Sequence, residues 1–115
     1  MKEVLNIANK CHSCKNAMCK ASCPLEQDIP LITNLIRDNQ VEEAAEIMFL
    51  HNPFGYITSL LCNHEKQCYG NCLFKNVEFF EIEQKLSTLY FEKLISYPKT
   101  LENRSIAIVG GGIAG

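Results

Sequence analysis

A small all-α domain with two cysteine-rich loops, followed by one short strand and a glycine turn, is predicted by three features of the chain. Apolar residues recur at helical spacing in three segments between residues 30 and 96. All seven cysteines fall in two blocks whose other residues are small or polar, as in loops. The last apolar run, 106–109, is too short for a helix and ends in glycines. A chain of 115 residues has room for one domain with a modest core.

Residues 1–10 form a short lead-in helix in this reading, and 11–24 a loop with one helical turn. Pro30 suits the first turn of a helix in which Leu31, Ile32, Leu35 and Ile36 follow, and Arg37-Asp38-Asn39 ends it. The next helix is expected over 41–50, with Glu42 and Glu43 where the macrodipole favours anions. Val41, Ala44, Ala45 and Met48 make its apolar stripe, and Pro53 disfavours helix at Asn52. A second loop covers 62–72. The longest helix is predicted over 77–96, with Phe79, Ile82, Leu86, Leu89, Tyr90 and Leu94 on one side and Pro98 closing it. Residues 99–104 read as a linker. Ile106-Ala107-Ile108-Val109 has the pattern of a strand buried on both faces.

Composition excludes several classes of function. Apolar residues make up 47% of the chain, too many for a disordered segment. A net charge of −2 gives no electrostatic reason for nucleic-acid or membrane binding. No apolar run approaches a spanning helix and the N-terminus has no signal-peptide layout, so a cytoplasmic location is expected. The odd number of cysteines, with no secretion signal, points to metal rather than disulfides.

The first block reads Cys11-x2-Cys14-x4-Cys19-x3-Cys23-Pro24 and the second Cys62-x5-Cys68-x3-Cys72. A 4Fe–4S cube needs four ligands arriving from several directions. Three closely spaced cysteines can wrap one face, and the fourth must come from elsewhere. In the bacterial ferredoxin pattern the cysteine before proline serves the other cluster. By that layout Cys11, Cys14 and Cys19 belong to one cube and Cys23 to a second. Two cubes need eight ligands, so another residue type must join the seven cysteines. Zinc is the competing reading, with four of the cysteines and His12 or His64, although few pairs have the knuckle spacing. Lys10, Lys15, Lys20, Lys66 and Lys75 flank the blocks and read as solvated surface. His51 reads as a turn residue, and the aromatics Phe79, Phe80, Tyr90 and Phe91 as core.

Several segments together resemble a known family: CHSCKNAMCKASCP, DIPLITNLI, HNPFG, CNHEKQCYGNC, VEFFEIEQ and SIAIVGGGIAG. They are similar to the N-terminal cluster domain of the NADPH-dependent glutamate synthase small subunit. The same domain opens dihydropyrimidine dehydrogenase and related NADPH–ferredoxin oxidoreductases. The resemblance runs from Cys11 to Gly115. It implies a helical fold unlike the small β-rich ferredoxins, and two 4Fe–4S clusters. It also implies a ligand division: Cys11, Cys14, Cys19 and Cys72 for one cluster, and Cys23, Cys62 and Cys68 for the other. The family's eighth ligand is a Gln or Glu on the helix after the last cysteine. Glu83 matches it here, with Glu81 and Gln84 as close competitors and a solvent-facing Glu83 as the alternative. Three departures stand out: Ser59-Leu60-Leu61-Cys62 lacks the family's frequent basic residue, Gly55 replaces a usual proline, and Asn76 stands where proline is common.

Gly110, Gly112 and Gly115 complete a G-x-G-x-x-G directly after the expected strand. Such glycines allow backbone N–H groups to approach a pyrophosphate at a helix N-terminus. By resemblance the nucleotide is FAD, although one strand without a sheet cannot bind it. The expected organisation is a helical cluster domain over 1–98, then a linker and the truncated start of an FAD/NAD(P)-binding domain over 99–115. The expected role is electron relay between flavin and a second redox site, with NADPH as source or sink. The partners are the flavin domain of the same full-length chain and a second oxidoreductase subunit. No catalytic residue is assigned within these residues. A zinc-stabilised interaction module and a free-standing ferredoxin-like carrier are the alternatives.

Overall fold

The computed structural model describes residues 1–96 and 103–113. Pro98, most of the expected linker and Gly115 lie outside the described residues. Among those described are seven helices: α1 Lys2–Asn9, α2 Met18–Ala21, α3 Ile29–Arg37, α4 Val41–His51, α5 Gly55–Leu61, α6 Cys68–Asn71 and α7 Phe79–Ser96. No described helix is long and apolar enough to cross a membrane.

Local chemistry sets the helix ends. Asp28 caps α3, its carboxylate accepting a hydrogen bond from the Leu31 N–H at 3.2 Å, with Pro30 in the first turn. Asn39 ends the same helix in the left-handed region (φ 62°), a conformation Asn tolerates, and the Gln40 N–H turns back to the Leu35 carbonyl at 2.8 Å. This tight turn leads directly into α4.

The core gathers Val4, Ile7 and Ala8 of α1, the buried face of α3, Ala44, Ala45 and Met48 of α4, and Phe79, Ile82 and Leu86 of α7. Helix α7 packs against α1, α4 and α5, and α3 against α1 and α4. The short helices α2 and α6 pack against each other, bringing the two cysteine loops together. Cys11, Cys19, Cys68 and Cys72 border this core.

The three periodic helices of the sequence are present, and the structure adds and corrects detail. Helix α5 has no counterpart in the sequence reading. Its buried residues are Gly55 and Ser59, while Ile57, Leu60 and Leu61 face outward, so its apolar pattern is inverted. On α7 the buried face is Phe79, Ile82, Glu83, Leu86 and Ser87, and Leu94 is exposed. No strand occurs among the described residues. The run 106–109 is irregular, with Val109 99% exposed, since a strand needs a neighbouring strand for its hydrogen bonds. Gly110 beside it has φ 103°, a turn conformation open to glycine.

Candidate metal centres

The cysteines border two adjoining cavities at one end of the helical core. The first, about 380 Å³ of empty space partly open to solvent, is lined by Cys11, Cys14, Cys19, Cys68 and Cys72, with Phe74 and Pro30 among the other walls. The second, about 650 Å³ and also partly open, is lined by Cys23, Cys62, Cys68 and Glu83, together with Gln27, Asn52, Thr58, His64 and Gln67. Cys68, Ile29 and Phe79 line both. Every cysteine is half-buried and none is in a disulfide. Among the described residues, no three His, Cys, Asp or Glu side chains converge closely enough to hold a single metal ion.

Helix α3 fixes the first loop. The Arg37 guanidinium donates to the Cys11 carbonyl at 2.7 Å and also to Ser13 Oγ and Asn34 Oδ1. The Ser13 hydroxyl donates to Asn34 Oδ1 at 2.7 Å. Ser13 itself is left-handed (φ 51°), so the chain turns sharply between Cys11 and Cys14. Such a conformation costs a non-glycine residue about 1–3 kcal/mol, which these contacts offset. His12 stacks on Phe74, ring centroids 3.5 Å apart, and both line the first cavity.

The second loop is held by backbone and by His64. Its Nε2 lies 2.9 Å from the Ser59 carbonyl, an acceptor only, so Nε2 carries the proton. The ring stacks on Phe80 of α7, centroids 4.3 Å apart. Gly70 lets α6 cross this loop: a Cβ there would lie 1.5 Å from the Glu65 carbonyl oxygen. The Gly70 N–H meanwhile donates to the His64 carbonyl at 2.9 Å.

Glu83 is 8% exposed and forms part of the second cavity's wall, whereas Glu81 is exposed and Gln84 half-buried. The Asn52 amide donates to Glu83 Oε1 at 2.9 Å. Burial pushes the Glu83 carboxyl up to about 7, against the lowering effect of Asn52 and Thr58. Burial likewise pushes the Cys19 and Cys68 thiols up to about 11. The Cys62 thiol is raised by burial, then by Glu83 and Cys23. Thiols and carboxyl alike would shed protons on meeting a cation. Gln27 Oε1 and His64 Nδ1 are buried without a hydrogen-bond partner, both on residues lining the second cavity.

Of the residues singled out in the sequence, the seven cysteines and Glu83 come together, and the exposed flanking lysines do not line either cavity. Lys10 pairs with Glu78 at 2.9 Å and Lys20 with Asp28 at 2.6 Å. Gly110 and Gly112 line neither cavity, and a Cβ added at either would meet nothing within 4 Å. Arg37, Asn34, Asn52 and Thr58 escape the sequence reading. Arg37 reads there as a helix-ending residue and Asn52 as part of a turn; a polar residue repeated between a helix end and Pro53 is the one available signal.

The chain is similar to known proteins along most of its length. Three glutamate synthase [NADPH] small chains align over 94% of the chain: that of Azospirillum brasilense at 27% identity, of Escherichia coli K12 at 28% and of Halomonas elongata at 26%. The chain spans only 24% of the length of each. Residues 1–94 match the family described as dihydropyrimidine dehydrogenase domain II, 4Fe–4S cluster, and the match takes in both cysteine blocks and Glu83. A domain whose thiols surround cavities rather than a point, and whose sequence follows that family from end to end of its helical part, belongs to it: the chain is a member of the dihydropyrimidine dehydrogenase domain II 4Fe–4S cluster family.

Proposed function

We propose that the domain is an electron relay holding two 4Fe–4S clusters. Cys11, Cys14, Cys19 and Cys72 hold the first, and Cys23, Cys62, Cys68 and Glu83 the second. The carrying observation is the sorting of seven thiols and one buried carboxylate onto two adjoining cavities, four donors to each when Cys68 is given to the second. The donor set fits the group. Thiolates are the usual ligands of iron–sulfur cubes, and a carboxylate supplies the same formal charge as a thiolate. A cube presents irons at its corners, so its ligands stand around a volume. A single zinc ion requires four donors on one point. The clusters, when bound, supply one-electron transfer at potentials set by ligation, hydrogen bonds and exposure.

The protein's own groups supply the rest. Arg37 holds the loop of Cys11 and Cys14 and brings a positive charge beside the first cavity. The stacked rings of Phe74 and His12 form part of that cavity's wall. Ile29 and Phe79 line both cavities and give the two proposed centres a shared apolar wall.

In the longer protein the domain, residues 1–98, passes electrons between a flavin and a second redox site, with NADPH as source or sink. The names of the relatives support this reading, as does the exposed apolar run Ile106, Ile108 and Val109, which would add a strand to a sheet beyond these residues. Residues 99–115 then open an FAD-binding domain with Gly110, Gly112 and Gly115 at its phosphate turn. A second oxidoreductase subunit receives or supplies the electrons, and the location is cytoplasmic.

Anaerobic preparation followed by analysis for iron, acid-labile sulfide and zinc tests the proposal. About eight iron and eight sulfide per chain are expected for two cubes. About one zinc and no sulfide would refute it. About four iron would leave one cavity without a cluster and refute the two-cluster form.

A further inference from the structure

The α4–α5 turn sends one side chain deep into the second cavity's wall. Asn52 is 3% exposed and lies between the end of α4 and the start of α5. Its side-chain oxygen accepts from the Phe54 N–H at 3.1 Å, a local contact that shapes the turn. Its two amide hydrogens serve something else. One goes to Thr58 Oγ1 at 2.7 Å, and the other reaches 31 residues along the chain to Glu83 Oε1 at 2.9 Å. The turn can approach α7 this closely because position 55 has no side chain: a Cβ on Gly55 would stand 3.2 Å from Glu83 Cγ.

We infer that Asn52 is the positioning residue of the second metal centre: its amide fixes one oxygen of Glu83 so that the other is presented to iron. The inference rests on the reading of Glu83 as eighth ligand. A glutamate has three side-chain torsions, and left free it would lose rotamer entropy on ordering. Asn52 has already ordered it. The amide also singles out the binding oxygen, since an oxygen engaged by a donor is the weaker candidate for iron. Groups that hold a metal's ligands in this way typically contribute about 10–100-fold to metal affinity. The Phe54 N–H, which can only donate, fixes which way round the Asn52 amide lies, and Thr58 Oγ1 accepts the second amide hydrogen.

The geometry dictates a discriminating pair of substitutions. Asn52→Asp keeps the size of the side chain and an oxygen for the Phe54 N–H, but replaces the donor facing Glu83 by a second carboxylate. Adding Glu83→Gln reverses the hydrogen bond, with the new amide on α7 donating to the carboxylate introduced in the turn and its carbonyl oxygen left for iron. Electron paramagnetic resonance of the reduced, anaerobically prepared protein would be read together with iron and sulfide content. Asn52→Asp is expected to lower second-cluster occupancy about 10–100-fold under limiting iron, leaving the first cluster's signal in place. The double variant is expected to recover occupancy, with a spectrum shifted by the change of ligand. An Asn52→Asp protein with both clusters at full occupancy and unaltered spectra would overturn the inference. Failure of the double variant to recover, while both variants keep the helical circular dichroism of the parent, would overturn it too, because Asn52 would then be acting on the turn alone. Glu83→Ala separates this from the reading beneath it: if that variant retains an unchanged second cluster, the ligand assignment itself falls. If Glu83→Ala loses the cluster and Asn52→Asp does not, only the positioning role falls.

Discussion

Replacing Gly55 by Ala is the smallest change that probes how tightly α5 must lie on α7. The added Cβ would meet Ser87 Oγ at 2.4 Å, Glu83 Cγ at 3.2 Å and Met48 Cε at 3.4 Å. Nonbonded heavy atoms are comfortable at about 3.5–4.0 Å, so the first overlap exceeds about 1 Å. Two responses are available. Ser87 can swing its hydroxyl aside, or α5 can back away and draw Asn52 and Thr58 off Glu83. Overpacking of this kind costs about 1–3 kcal/mol. Alanine's better helix propensity returns at most about 1 kcal/mol, and less at the first helical position, leaving a net loss of about 0–3 kcal/mol. For a domain near 100 residues that lowers the melting temperature by about 4–8 °C per kcal/mol.

The Ser87 side chain makes the reasoning refutable. It is 1% exposed and its hydroxyl is buried without a hydrogen-bond partner. An unsatisfied buried hydroxyl is itself unfavourable by about 1–3 kcal/mol, so Ser87→Ala alone should leave stability unchanged or raised. It also removes the nearest clashing atom, and Gly55→Ala with Ser87→Ala should recover most of the loss. Melting curves of the four proteins, followed by circular dichroism without oxygen at one scan rate, give the coupling, expected within about 0.5–3 kcal/mol. Strictly additive effects would show that the clash with Ser87 is not the cause.

Three further outcomes follow from the geometry. Arg37→Met removes charged hydrogen bonds to the Cys11 carbonyl and Ser13, each contributing about 1.5–3 kcal/mol, and should deplete the first cluster's paramagnetic signal before the second; Arg37→Lys should not restore it, because one ammonium cannot span both partners. Stripping the clusters should lower hydrogen-exchange protection in 11–24 and 62–72 ahead of α1, α3, α4 and α7, and unchanged protection in the two loops would count against metal-dependent ordering. The Lys10 ammonium beside Glu78 holds that carboxyl below its ordinary 4.5. The resulting stability is therefore fully present above about pH 4.5 and lost as pH falls through the lowered value. Lys10→Met should remove about 0.2–1 kcal/mol at neutral pH in the cluster-free helical core, and the difference from the parent should vanish in acid.

What the sequence reveals depends on whether a residue's role is written in spacing or in contact. Helices α3, α4 and α7 are legible because their apolar residues recur every third or fourth position. The cysteine blocks are legible because thiols are rare and clustered. Helix α5 is hidden because its contact with the core is made by a glycine and a serine, and its leucines face outward. Glu83 can be narrowed to three neighbours by likeness alone, and the rotation of α7 puts it inward with Ile82 and Leu86 on either side. Arg37 and Asn52 are illegible for another reason. Each acts on a partner brought near only by folding, 26 residues away for Arg37 and Cys11, 31 for Asn52 and Glu83. The expected strand at 106–109 fails to appear because strand formation belongs to a sheet and not to a segment.

The two cysteine blocks do not each build a centre of their own. On the proposed ligand sets, Cys23 leaves the first block for the second cavity and Cys72 leaves the second block for the first. Neither cavity can close until α2 and α6 have met, and their contact is set by the helices between them. On those sets cluster insertion and docking of the two loops would be coupled, as in small metal domains whose binding energy is folding energy. The exchange has a second consequence. Cys68, Ile29 and Phe79 line both cavities and so belong to a wall the two share. On the proposed sets one of these residues, Cys68, would be a ligand of the second cluster while also bordering the first cavity. Replacing Phe79 by Ala would open this partition to water without touching a ligand. The clusters should then remain countable as iron and sulfide while their potentials move, because solvent exposure is one of the terms that sets them. Unchanged potentials in a variant shown to be loaded at both sites would mean that the shared wall does not insulate the pair.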